Sequence, residues 1–198
     1  IINTTESNAH GISSVNYGGS NNIIFSNIIT THGTYAGGII LYGAINNNIS
    51  FNIITIYGNF TDGIYIGPIL DESCNNNIFI SNNITVSGTG IFLSLCINNT
   101  LIHDIIKTLV YNSYGIFLEG SSNNFDSISI TTYGNASYGI YFAGQYNNFP
   151  NLNILTLNKS SVGIFYLSPN SGNIIRDSFI NASFANDTFF DSGYSSSK

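Results

Sequence analysis

A Gly-Ile dipeptide returns seven times along this chain, at Gly11-Ile12, Gly38-Ile39, Gly63-Ile64, Gly90-Ile91, Gly115-Ile116, Gly139-Ile140 and Gly163-Ile164. The intervals are 27, 25, 27, 25, 24 and 24 residues. A fixed period of that length marks one supersecondary unit repeated and stacked, because so short a unit cannot bury an apolar face alone.

The rest of each unit is also shared. An Asn pair follows the glycine at Asn47-Asn48, Asn98-Asn99, Asn123-Asn124 and Asn147-Asn148, and insertions displace it at Asn21-Asn22 and Asn76-Asn77; Asn173 stands alone in the seventh unit. A second apolar segment comes next, as in residues 49–56 or 149–157, and then a turn such as 57–62 or 133–138. Alternating β-branched residues between Gly and Asn punctuation read as strands, not helices. Two-residue hairpins favour Asn-Gly. With 31 Asn and 20 Gly, about three such dipeptides would arise by chance, yet there is none. Asn-Asn before Ile or Phe instead suits a corner in which one Asn is left-handed. Stacked corners would join their amides into a ladder along the axis. The expected fold is therefore all-β, a solenoid of about seven coils over residues 1–183, with 184–198 as a C-terminal cap or linker.

The Gly-Ile strands, Asn corners and coil length over roughly residues 11–183 resemble the right-handed parallel β-helix of the pectin-lyase-like superfamily, and within it the NosD-type repeats of periplasmic and archaeal surface proteins. The resemblance implies the fold. It says little of function, since lyases, hydrolases, tailspikes, adhesins and plain scaffolds share that architecture.

Strand alternation separates inside from outside. The Ile after each repeat glycine must face the core, as must Leu41, Ile66, Leu93, Leu118, Phe142 and Tyr166 two residues on. The position between them, Ser13, Ile40, Tyr65, Phe92, Phe117, Tyr141 and Phe165, must face out. So long an apolar stripe calls for a cover. Three are open: the segment Phe184–Tyr194 with Phe189 and Phe190, a second subunit through Ile40, Tyr65, Phe92, Phe117, Tyr141 and Phe165, or a stacked sugar. No amphipathic capping helix is visible at either end, so end-to-end stacking or continuation in a longer chain is expected.

Only 7% of residues are charged, against about 25% in an average soluble domain. The net charge is −6, and four scattered cations (Lys107, Lys159, Arg176, Lys198) cannot neutralise a phosphate backbone, which argues against nucleic-acid binding. No apolar run approaches the ~20 residues of a membrane helix. The chain has no Met and opens at Ile1, so it reads as a processed protein or a piece of a longer one. Neutral polar residues suit an extracellular, acidic setting, although an AT-rich genome would explain Asn and Ile equally well. Cys74 and Cys96 each lie two residues before the first Asn of a pair. Stacking would put their Cα atoms about 5 Å apart, so a disulfide and an oxidising compartment are expected, with two buried thiols as the alternative.

Nine Asn-x-Ser/Thr sequons occur, at Asn3, Asn48, Asn59, Asn83, Asn98, Asn135, Asn158, Asn181 and Asn186. Exposed loops favour modification at Asn59, Asn135 and Asn158, followed by Asn3, Asn181 and Asn186. Asn48 and Asn98 should be buried in the ladder.

Catalysis on this fold would need convergent carboxylates. Asp71-Glu72, His103-Asp104, Glu119, Asp126 and Arg176-Asp177 do not converge in the expected register, and Lys107 and Arg176 lie three coils apart. His10, His32 and His103 share no phase, so neither a metal nor another cofactor is expected. The expectation is a non-enzymatic extracellular or cell-surface β-helix: a glycosylated, self-assembling subunit of a filament, sheath or surface layer, or an adhesin stalk. The alternative is a carbohydrate-active enzyme (polysaccharide lyase or glycoside hydrolase) or a sugar-binding module.

Overall fold

The computed structural model describes residues 1–14, 19–68, 74–167 and 171–183, and the strand Thr188–Asp191. Among these residues there is no helix, and every strand pairs in parallel with its counterpart one coil away. The result is a parallel β-solenoid of about seven turns with three long sheets. Sheet 1 carries the repeat glycines and runs from Ile12–Ser14 through Asp62–Gly67, Thr89–Ser94, Tyr114–Glu119 and Tyr138–Ala143 to Val162–Leu167 and Thr188–Asp191. Sheet 2 follows the Asn corner with three-residue strands from Ile23–Phe25 to Ile174–Arg176. Sheet 3 runs from Ile2–Thr4 to Phe179–Ala182.

Register turns the repeat into columns. Ile39, Ile64, Ile91, Ile116, Ile140 and Ile164 lie on successive rungs and are buried, as are Leu41, Ile66, Leu93, Leu118 and Phe142. They meet Ile29, Ile54, Ile84, Ile106, Ile130 and Ile154 of sheet 3. The repeat glycine serves close approach between these sheets. A Cβ at Gly115 would lie 2.3 Å from Ile130 Cγ2 and 2.5 Å from the Gly139 carbonyl oxygen.

The corner after sheet 1 holds a ladder of Asn22, Asn47, Asn77, Asn99, Asn123, Asn147 and Asn173. Each Oδ1 from Asn47 onward accepts the backbone N–H of the Asn one coil before it, at 2.8–3.0 Å. The left-handed residue is the one before each ladder Asn: Asn21, Asn46, Asn76, Asn98, Ser122, Tyr146 or Gly172. The expectation for Asn48 and Asn98 is therefore corrected, since Asn48 is half-buried and Asn98 exposed while Asn47 and Asn99 carry the rungs. A second ladder, Asn27, Asn52, Asn82 and Asp104, lies five residues further on, between sheets 2 and 3.

Cys74 and Cys96 pair in a short two-stranded sheet, with their sulfurs 2.06 Å and their Cα atoms 4.8 Å apart. Thr188–Asp191 extends sheet 1 beyond residue 183, with Phe189 in register with Phe165, so these four residues prolong the sheet and do not lie over its face. Positions 184–187 and 192–198 fall outside the described residues.

Thr132 and Thr156 are fully buried on adjacent rungs of sheet 3, and their hydroxyls have no partner among the described residues. Ile56 and Val86 fill equivalent rungs, so the core accepts an aliphatic side chain there. Thr132→Val and Thr156→Val should each raise stability by about 1 kcal/mol in denaturant unfolding, because each removes an unpaired buried hydroxyl at nearly constant shape.

Candidate functional site

The outward column of sheet 1 is an aromatic stack. Ring centroids are 5.3 Å apart for Tyr65–Phe92, 4.4 Å for Phe92–Phe117, 4.9 Å for Phe117–Tyr141 and 5.1 Å for Tyr141–Phe165. The last three pairs are within 15° of parallel. Tyr114 stacks on Tyr138 beside this column and meets Phe117 and Tyr141 edge to face. Parallel strands 4.8 Å apart impose this order, because equivalent side chains come to near-stacking distance. Each ring covers its neighbours' faces and is half-exposed, so the column offers edges, not faces, to a partner. Ile40, expected to face out with the others, is only 6% exposed. It lines a depression of about 360 Å³ with His10, Tyr42, Asp62 and Tyr65, opened by the missing side chain of Gly37.

A second depression, of about 510 Å³, interrupts the ridge of loops between sheets 3 and 1. In the third coil eight positions separate Ile56 from Ile64, and in the fifth eight separate Thr108 from Ile116; in the fourth only five separate Val86 from Ile91. Ser87-Gly88-Thr89 thus crosses directly, leaving a notch between 59–62 below and 110–112 above. The crossing is tight: the N–H of Thr89 donates to the Thr61 carbonyl at 3.2 Å, and Ser87 Oγ to that of Gly58. Phe60 is 75% exposed and stacks on Tyr35 on the side away from the notch; Tyr111, 71% exposed, lines the opposite wall.

Asp62 stands between the two depressions, on the outer face of sheet 1 opposite Thr89. Burial pushes its carboxyl up to about 6, against the lowering effect of a hydrogen bond from Thr89. His10 accepts the Gly37 N–H at Nδ1 at 3.0 Å, and burial lowers its pKa. The repeat alone gave no reason to single out Phe60, Asp62 or Tyr111. The signal was the short crossing, and the Gly63–Gly90 interval of 27 hides it because an insertion after Gly67 offsets the three missing residues.

The acidic residues weighed from sequence separate. Asp104 is fully buried at the second corner, Glu119 accepts from Ser94 Oγ at 3.1 Å on sheet 1, and Asp126 lies at the end of a sheet 2 strand. Asp126 is held below the usual carboxylate range by hydrogen bonds from Asn151 and Ser127. Asp104 is pushed up to about 7 by burial, against hydrogen bonds from the Asn82 backbone and side chain. His103, Lys107, Arg176 and Asp177 are exposed, and Asp71-Glu72 lies outside the described residues. No group of three or more His, Cys, Asp or Glu is placed to hold a metal among the described residues.

Of the sequon residues, Asn59, Asn135 and Asn158 are exposed in the loop ridge, and Asn3 and Asn181 are exposed on the outer strands of sheet 3. The Asn158 amide donates to the Tyr133 carbonyl at 2.6 Å. Asn83 and Asn98 are exposed as well, and Asn186 lies outside the described residues. No known protein family, curated protein or solved structure matches this chain.

Proposed function

We propose that this β-solenoid is a non-enzymatic structural protein of an extracellular surface, a self-assembling subunit of a filament, sheath or surface layer or the stalk of an adhesin, related in kind to the NosD-type repeats of the pectin-lyase-like superfamily. The observation that carries the reading is the half-exposed ring stack Tyr65–Phe92–Phe117–Tyr141–Phe165. A regular strip of ring edges suits a second flat surface of the same spacing, such as another copy of this chain. Charge repulsion between copies is weak, because Glu119 is the one acidic or basic residue in the pairing frame of Thr89–Ser94, Tyr114–Glu119 and Tyr138–Ala143. The Cys74–Cys96 bond fits an oxidising compartment. The exposed sequon residues Asn135 and Asn158 of the loop ridge, which lie outside the notch, would carry glycans away from the stripe.

Sedimentation velocity of the purified chain beside Phe117→Lys tests the reading. The wild type should form species larger than its 21.4 kDa chain. The variant should shift to monomer with its β circular dichroism retained. Assembly unchanged by Phe117→Lys and by Tyr141→Lys would remove the stripe as the interface.

A further inference from the structure

We infer that the notch in the loop ridge is a binding site for a neutral saccharide, with one pyranose ring laid against Phe60 and flanked by Tyr111. This inference is independent of assembly through the ring stack and uses a different surface.

The notch has the size of a ligand site, at about 510 Å³ within the ~300–1,000 Å³ usual for small molecules. Its origin is a chain-length difference confined to one coil, so it interrupts a ridge that every other described loop continues. That interruption changes the aromatic chemistry. On sheet 1 Phe92, Phe117 and Tyr141 are each sandwiched between two other rings and show their edges. Phe60 stacks only on Tyr35 among the described residues, because the fourth coil supplies no residue at that level, and its far face borders open volume. An uncovered ring face suits the axial C–H surface of a pyranose, as its quadrupole attracts the weakly positive hydrogens.

Apart from Val110, the remaining walls are polar and uncharged but for one carboxyl. Asn59 and Asn112 bring exposed amides, which both donate and accept, and Asp62 and Thr89 close the floor on the sheet side. Sugar hydroxyls need that mixture. No Lys or Arg lines the notch among the described residues, so a uronate, sulfated or phosphorylated sugar would bring an unpaired charge beside Asp62. Neutral saccharides are therefore the class selected. The rim is formed by the turns of the neighbouring coils and the floor by a tight crossing: a Cβ at Gly88 would lie 1.9 Å from the Thr61 carbonyl oxygen, so the floor must stay bare backbone.

The test is calorimetric or NMR titration of the unglycosylated chain with neutral tri- to hexasaccharides of glucose, mannose, galactose and xylose, with trigalacturonate as the anionic probe. At least one neutral series should bind saturably, and trigalacturonate at least tenfold more weakly. Phe60→Ala and Tyr111→Ala should each weaken binding about tenfold, equal to ~1.4 kcal/mol. Inserting Asn-Ala-Ser between Ser87 and Gly88 restores the loop length of the other coils and should abolish binding while the β spectrum is kept. Phe117→Lys should leave binding unchanged, which separates this site from the ring stack. No saturable binding of any neutral series, or binding that survives both alanine variants and the insertion, overturns the inference.

Discussion

Replacing Asn99 by Leu should lower the stability of the fold by about 4 kcal/mol or more, a fall of about 10 °C in Tm for a chain of this size. Asn99 is fully buried, and its Oδ1 accepts the Asn77 backbone N–H at 2.8 Å and the Asn77 Nδ2 at 2.9 Å. Its own amide donates to Asn123 Oδ1 at 3.0 Å and to the Cys74 carbonyl at 3.3 Å. Leucine of similar size keeps the volume but leaves the Asn77 backbone N–H without its acceptor, removes the amide donor from the Cys74 carbonyl, and takes one of two bonds from Asn77 Nδ2 and from Asn123 Oδ1, with no water to replace them; each unpaired buried group costs ~1–3 kcal/mol. The adjacent Asn98 is the control. It is exposed with φ at 56°, a conformation glycine adopts freely, so Asn98→Gly should be nearly neutral. Thermal or denaturant unfolding of the two variants checks the contrast, and equal losses would contradict the ladder as a principal support of the corner.

The second large effect is a dependence on pH. Asp104 closes the second ladder: its Oδ1 accepts the Asn82 backbone N–H at 2.7 Å and Nδ2 at 2.9 Å, while its buried Oδ2 has no partner among the described residues. Asn52 and Asn82 each use the equivalent atom, Nδ2, to donate to the carbonyls of Ile24 and Ile49. By that pattern Phe79 supplies the next carbonyl, and a protonated Asp104 can fill the role of an amide. Burial pushes this carboxyl up to about 7 in the fold, whereas it ionises near 3.9 in the unfolded chain. Between those values the folded state binds the extra proton, so raising the pH lowers stability, by on the order of 4 kcal/mol once above both. Asp62, raised to about 6, adds a smaller effect of the same sign. Asp126 and His10 act in the opposite sense, since each has a lowered pKa in the fold. Denaturant unfolding should therefore show greater stability at pH 4.5 than at pH 8. Asp104→Asn should remove most of that slope and stabilise the protein at pH 8. A wild type that gains stability between pH 4.5 and 8, or an Asn variant with an unchanged slope, would contradict this account.

Such acid tolerance suits a chain whose solubility rests on Asn, Ser and Thr instead of ions. It follows from one Asp standing where three earlier coils place Asn.

The coil was legible because strand alternation and a repeated Gly-Ile fix inside and outside at every rung. The cysteine pair was legible for the same reason, as equal phase in adjacent coils means contact. The corner was only half legible. Asn98-Asn99 and Asn123-Asn124 look equivalent, yet the rung is the second Asn in one and the first in the other, because the left-handed residue before it can be Asn98 or Ser122. Tyr35, Phe51, Phe60 and Tyr146 also take positive φ, which no local preference foretells; stacking on neighbouring coils overrides it. The second ladder did leave a trace, since Asn27, Asn52, Asn82 and Asp104 each follow a first-ladder Asn by five residues. The burial of Ile40 depends on Gly37 and on tyrosines from neighbouring rungs, which alternation alone does not weigh.

We propose that this solenoid works by assembling through its outer surface. Negative-stain microscopy of native material, with light scattering of the same purified chain, tests it most directly. Fibres or sheets with a regular subunit repeat, lost in Phe117→Lys, are the predicted result. A monodisperse monomer of 21.4 kDa under all conditions, including acidic ones, would contradict it.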